Sequence, residues 1–295
     1  MSLYAHKEAN IRKTFLLFAV FLIVIIGIGW FFAKIYANPG ILIFAVFFSV
    51  LMSFISYWYS DKIVLKISRA VPVKKENYRE LYNIVENLSI AAGLPMPRVY
   101  LINEPAMNAF ATGRDEKRAV VAVTSGLLEK LDRSETEGVI AHELSHIGNR
   151  DMLVSTVAVV LVGFVALLSD FFLRSMFWGG LGGRDRDKGQ AAGIMMIMGI
   201  ALAILSPIAV TLIQLAISRS REFLADADGA LLTRYPEGLA SALQKISSDK
   251  TPLKAANKAT NHLWFSSPSK GKVASWFMTH PPIEERIKRL REINL

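Results

Sequence analysis

Four long apolar runs, separated by polar and amphipathic segments, set out the plan of this chain. Residues 1–13 are polar and carry Lys7, Arg12 and Lys13. Residues 14–33 are almost unbroken apolar, and about 20 such residues suffice for a helix to cross a bilayer. Residues 41–58 repeat the pattern after the breaker Asn38-Pro39-Gly40, so the pair predicts a transmembrane hairpin. A secretory signal peptide would be shorter and would not be followed at once by a second run. Residues 152–172 and 191–217 form the third and fourth runs, the fourth with Pro207 as an expected kink. Their length favours spanning, and a greasy hairpin packed on the soluble part is the alternative. The loop between them, 177–190, mixes Gly with Arg184, Asp185, Arg186, Asp187 and Lys188.

Residues 62–150 have soluble character. Asn77-Tyr78-Arg79-Glu80 resembles a capping box, Leu81, Ile84, Val85 and Leu88 share one helix face, and Gly93 with Pro95 ends that helix. Short strands are expected at 98–102, 108–112 and 119–123, the last two joined by a polar turn at 113–117. A short helix at 125–131 leads to a longer one at about 135–150, which Ser134-Glu135-Thr136-Glu137 would cap. Beyond the fourth run, 218–231 reads as a helix, and Pro236 opens another with Leu239, Leu243 and Ile246 on one side. Residues 248–279 show little periodicity and read as a long loop, the kind that is often functional. Pro281-Pro282 precede an amphipathic helix with Ile283, Ile287 and Leu290 on one face and Arg286, Lys288, Arg289 and Arg291 on others.

Composition fits this plan. An apolar fraction of 52% over 295 residues, with positive mean hydropathy, is too high for an ordinary soluble domain. Cysteine is absent, which excludes a disulfide framework and thiolate metal sites. The net charge of +9 is explained first by cytoplasmic Lys and Arg facing an anionic leaflet, and no nucleic-acid motif accompanies it. Lys62, Lys66, Arg69, Lys74 and Lys75 follow the second run, while Lys34 alone lies by the connecting turn. That asymmetry puts the N-terminus and residue 62 onward in the cytoplasm, with Tyr57, Trp58 and Tyr59 at the interface.

The chemistry centres on His142-Glu143-Leu144-Ser145-His146, two of only 5 histidines in the chain. Residues four apart share a helix face, so His142 and His146 can present two imidazoles to one metal. Glu143 can then reach a water at that metal as general base. A catalytic zinc needs a third protein ligand and an open position. Glu222, His262 and His280 are the candidates, and Glu222 is the best, because a membrane hairpin at 152–217 returns it close to where the chain left at Arg150. Asp151 lies too close along the same helix to close the site readily. Asp226, four residues after Glu222, is placed to bond the outer nitrogen of a ligand histidine.

His142-Glu143-Leu144-Ser145-His146, the segment Arg219-Ser220-Arg221-Glu222-Phe223-Leu224-Ala225-Asp226 and Thr279-His280-Pro281-Pro282 together resemble the HtpX-type heat-shock membrane metalloproteases, relatives of the CAAX prenyl endoproteases. The resemblance covers nearly the whole chain. It implies a multi-pass inner-membrane zinc endopeptidase, with one Zn2+ per subunit and its active site in the cytoplasm. Such an enzyme degrades misfolded membrane proteins and can cleave itself. It also implies His142, His146 and Glu222 as ligands and Glu143 as base. His280 and Arg286 would hold the oxyanion, and Asn108-Ala109-Phe110 resembles an edge strand that takes up extended substrate. The expected fold class is α+β, mainly α, with four transmembrane helices and a gluzincin-like metalloprotease domain bearing a small sheet. The expected division is 1–60 as the first membrane hairpin, 152–217 as the second, and 61–151 with 218–295 as the two parts of the catalytic domain.

Geometry adds a substrate class. His146 is about six residues from Met152, roughly 9 Å of helix, so the metal would sit near the bilayer surface. Membrane proteins cut in extended cytoplasmic loops are the expected substrates and the lipid bilayer the expected surroundings. Two other readings compete. A scaffold with a structural zinc would close its site with His262 or His280 as fourth ligand, and would have no use for Glu143. An ion transporter would carry charged groups in its spans, which these runs lack.

Overall fold

The structure is a computed structural model that describes residues 3–35, 37–179, 219–253, 263–265 and 281–293. The fourth apolar run and most of the 248–279 loop, with His262 and His280, lie outside the described residues.

Helices α1 (Leu3–Ile35) and α2 (Pro39–Ile67) form an antiparallel pair. Between them Asn38 accepts from the Gly40 amide at 2.9 Å and Pro39 takes the first helical position, so the turn at 38–40 also starts α2. Both helices are long and apolar enough to cross a membrane, and only 28% and 17% of their most apolar windows are buried. Phe15, Ile23, Phe44, Phe47 and Trp58 therefore face outward, an apolar surface that suits lipid.

The sheet is small and mixed. Strands β1 (Val71–Pro72), β2 (Arg98–Ile102), β3 (Ala109–Thr112) and β4 (Val120–Thr124) lie in the order β1-β2-β4-β3. The β2–β4 pairing is parallel and the other two are antiparallel. Side chains alternate between faces. Ala109, Ala111, Val121 and Val123 join the larger core, and Phe110 and Ala122 a smaller one on the other face. Strand β1 is an addition to the three expected strands.

Helix α3 (Arg79–Ala91) buries Leu81, Ile84, Val85 and Leu88 and stops at Gly93, whose φ of 65° lets Leu94 donate back to the Ser89 carbonyl. The box expected at Asn77 does not form: Tyr78 precedes the helix without a side-chain cap. Helix α4 (Ser125–Lys130) is followed by α5 (Arg133–Gly148), which carries both motif histidines. Its capping box is Asp132 with Glu135, not Ser134 with Glu137. Tertiary contacts favour that register, since Glu135 is also bonded by Ser241 and Lys245.

At Arg150 the backbone turns left-handed, with φ 57°. Helix α6 (Asp151–Gly179) leaves there, its first stretch, Asp151–Val165, bent 83° from α5. It packs on Leu17, Phe21 and Ile25 of α1 and, through Val159, beneath the sheet. Helices α7 (Arg219–Thr233), α8 (Pro236–Ser248) and α9 (Ile283–Arg291) complete the described elements. The larger core joins α3, the sheet and α5 to residues of α7, α8 and α9.

Candidate metal centre

Two helices build the site. Helix α5 supplies His142 and His146 on one face, and α7 crosses it with Glu222 and Asp226. The crossing is close because Gly229 meets α5 without a side chain: a Cβ there would lie 3.0 Å from the His142 backbone nitrogen.

Three donor atoms converge. Nε2 of His142 and Nε2 of His146 are 3.1 Å apart, and the Glu222 carboxylate oxygens stand 3.8 and 3.6 Å from them. All three ligand atoms lie within 4.8 Å of one another, the one such group among the described residues. A tetrahedral zinc with Zn–N of about 2.0–2.1 Å would set two nitrogens roughly 3.3 Å apart. Two imidazoles and one carboxylate are also a donor set that zinc favours, so the residues present fit the ion. Glu143 is buried beside His142, and its charge acts on both His146 and Arg286.

Each histidine carries a carboxylate behind it. Nδ1 of His142 lies 3.0 Å from Asp226 Oδ1, off the ring N–H axis. Nδ1 of His146 lies 3.1 Å from Asp151 Oδ2. Such partners fix the ring direction of a metal-binding histidine. Burial pushes the His142 imidazole down to about 4, against the pull of Asp226. Burial works the same way on His146, but the Asp151 hydrogen bond and the charges of Glu222, Asp151 and Glu143 outweigh it and hold this ring up at about 9.

Arg286 is 1% exposed and donates through Nε and Nη2 to both Asp226 oxygens at 2.8 and 2.7 Å, a bidentate pair. Its Nη1 stands 3.7 Å from Glu222 Oε2. Burial would raise the Asp226 carboxyl, but the Arg286 guanidinium and His142 bring it down to about 2. Arg286 therefore does not lie on a solvated basic face. It sits on the face of α9 that also carries Ile283, Ile287 and Leu290. His280 lies outside the described residues.

Strand β3 is the sheet edge nearest this site, but its three expected substrate contacts differ in what they offer. The Asn108 backbone pairs with Thr124 through bonds of 2.9 and 3.0 Å. The Phe110 ring is fully buried against Trp264, edge-on at 4.9 Å. Ala109 turns its carbonyl to the outer edge, where it accepts from the Phe265 amide at 2.8 Å. The Phe265 ring stands edge-on to His142 at 5.0 Å. Asp151, set aside in the sequence as a metal ligand, takes a place behind His146 that was not foreseen there, and Phe265 was not foreseen either. Asp151 had a signal, an acid at the start of the next run five residues after His146.

Comparison with known proteins agrees with this geometry. Residues 75–294 match Peptidase family M48. The chain is 50% identical over 297 residues to a "Protease HtpX homolog" of Caldanaerobacter subterraneus subsp. tengcongensis, covering 100% of this chain and 99% of the relative. It is 48% identical over 298 residues to a "Protease HtpX homolog" of Thermoanaerobacter pseudethanolicus, again covering 100% and 99%. In fold it resembles the crystal structure of S. mikatae Ste24p, with a TM-score of 0.51 and 19% identity over 94% of this chain. The alignment spans 65% of the length of that structure's chain. Motif, site geometry, apolar helices and relatives lead to one assignment: the chain belongs to peptidase family M48, as a membrane metalloprotease of the HtpX type.

Proposed function

We propose that this protein is a zinc endopeptidase that cuts membrane proteins in extended segments beside the bilayer, and that it can cut itself. His142, His146 and Glu222 hold one zinc per chain, and Glu143 is the general base. The observation that carries this reading is the convergence of the three donor atoms within 4.8 Å on α5 and α7, with Glu143 alongside.

When bound, the zinc acts as a Lewis acid on the scissile carbonyl and lowers the pKa of the attacking water. Glu143 accepts a proton from that water and delivers it to the leaving amine. Asp226 and Asp151 keep the two imidazoles aimed at the metal. Arg286 spends Nε and Nη2 on Asp226, so its part is to fix that carboxylate and add positive charge beside Glu222. His280 remains the proposed donor to the oxyanion. No side chain forms a covalent bond to substrate.

The active site is proposed to face the cytoplasm, for which the Lys and Arg following α2 are the support. Four spans are proposed, two of them α1 and α2, with 61–151 and 218–295 as the two parts of one catalytic domain; residues of both parts share the larger core. Substrate class follows from placement. α6 leaves the histidine helix after a two-residue turn and packs on α1, which keeps the metal close to the apolar layer.

The test uses the full chain purified in detergent under chelator. Zinc is returned to wild type and to Glu143→Gln, and fragmentation is followed on a gel. Wild type alone should fragment. Equal fragmentation of both removes Glu143 from the mechanism, and no fragmentation of either removes self-cleavage.

A further inference from the structure

Asn10 is a buried polar side chain of α1, 2% exposed, at the point where that helix meets the turn between α5 and α6. Its amide donates to Asp151 Oδ1 at 2.6 Å and to the Asn149 carbonyl at 2.9 Å. Neither bond is needed to hold α1 in place by packing, because Leu17, Phe21 and Ile25 already bury themselves against α6. A buried amide is costly unless its hydrogen bonds are made. Here both acceptors lie beside the metal centre. Asn149 caps the C-terminus of α5, where carbonyls lack helical partners. The other oxygen of Asp151, Oδ2, is the one that faces His146 Nδ1.

We infer that Asn10 is a positioning residue of the metal centre: through it the first transmembrane helix fixes the Asp151 carboxylate that aims His146. This rests on the reading of His142, His146 and Glu222 as zinc ligands. The division of labour on Asp151 carries the argument. Oδ1 receives Asn10 and, at 3.3 Å, Arg221 Nη1, which leaves Oδ2 for the histidine. Without Asn10 the carboxylate loses the shorter of the two bonds that set its plane, and rotation about its terminal torsion is soft. The His146 ring then loses its fixed direction. The bond joins residues 141 positions apart, so this one polar contact from α1, and not the apolar packing of α1 on α6, becomes a condition for full metal retention.

The experiment uses full-length protein in detergent, loaded with zinc. The rate of zinc loss to a chromogenic chelator is measured for wild type, Asn10→Ala, Asn10→Ser, His146→Ala and Leu17→Ala. Leu17→Ala weakens the same α1–α6 packing without touching the polar contact. The d–d spectrum of the cobalt-loaded forms reports ligand geometry directly. Asn10→Ala should lose zinc roughly tenfold faster than wild type and show a shifted cobalt spectrum, with Asn10→Ser intermediate. Leu17→Ala should lower the melting temperature and keep the wild-type zinc rate and spectrum. If both Asn10 variants match wild type in rate and spectrum while His146→Ala loses its metal, the inference fails and the ligand assignment stands. If the two Asn10 variants and Leu17→Ala all lose zinc alike, Asn10 acts only through packing and the inference also fails. If His146→Ala holds zinc as wild type does, the ligand assignment itself is wrong. Should Asn10→Ala not fold, the rate and spectrum of Asn10→Ser decide.

Discussion

The Asp151 carboxylate stands 3.1 Å from Nδ1 of His146, brought there by the left-handed turn at Arg150 that separates α5 from α6. That contact makes the first residue of α6 part of the candidate metal centre. Asp151→Ala should weaken zinc affinity by about 10- to 100-fold, the usual cost of losing the partner behind a ligand histidine. Competition against a chelator of known affinity measures it. Unchanged affinity would mean that His146 is oriented by packing alone.

Arg286 and Asp226 form a buried bidentate pair behind His142. Removing one member strands the other charge away from water. Arg286→Met should therefore destabilise the fold by about 3–5 kcal/mol, read from thermal or denaturant unfolding in detergent. A loss of activity with no loss of stability would instead favour a direct role of Arg286 at the oxyanion.

Gly229 sets how closely α7 approaches α5. A methyl group there would stand 3.0 and 3.3 Å from the backbone nitrogen and Cα of His142. Neither atom can move without shifting the ligand helix, so Gly229→Ala should cost about 1–3 kcal/mol in stability. It should also lower zinc affinity, because Glu222 and Asp226 ride on the displaced helix. Chelator competition and unfolding measured on the same preparation test both effects.

Much of this site is legible in the sequence because it is local. His142, Glu143 and His146 follow from spacing on one helix, and Glu222 from the expectation that the chain returns close to where it left at Arg150. Asp151 could be noticed as an acid near His146, but its place behind that ring was not legible, because it depends on the sign of φ at Arg150 and on an 83° bend that no periodicity encodes. Asn10 was hidden by distance, lying next to a basic cluster that reads as a flank of the span. Arg286 is named by the family resemblance, and its burial could also have been read from the spacing. It is three residues after Ile283 and four before Leu290, so helical spacing alone puts it on the apolar face. The displaced capping box shows the opposite limit. Two overlapping patterns, Asp132 with Glu135 and Ser134 with Glu137, are equally good locally, and contacts from α8 go with the first. Strand β1 spans two residues and contains Pro72, too short for any alternation to register.

Asp249 ties the end of α8 to the start of the edge strand. Its carboxylate accepts from the Met107 amide at 3.2 Å, from Lys130 at 3.0 Å and from Thr251. Partial burial raises this carboxyl, but these donors outweigh it and hold it well below the usual carboxylate range. A folded-state pKa below the unfolded one gives stability that is complete above the ordinary carboxylate range and is lost as pH falls through and below it. Asp249→Asn should therefore destabilise the protein at pH 7 and somewhat less at pH 3, where the loss has begun but the folded carboxyl is still ionised. Denaturant midpoints at the two pH values check the sign, and an equal effect at both would contradict it.

The central claim is that His142, His146 and Glu222 hold a zinc that Glu143 uses. Zinc content and cleavage of an unfolded membrane-protein substrate, measured on the same preparations of wild type, Glu143→Gln and Glu222→Gln, test it most directly. Glu143→Gln should keep its zinc and cut nothing, while Glu222→Gln should lose both zinc and cleavage. A Glu143→Gln protein that cuts at the wild-type rate, or a Glu222→Gln protein that retains its zinc in full, would contradict the claim.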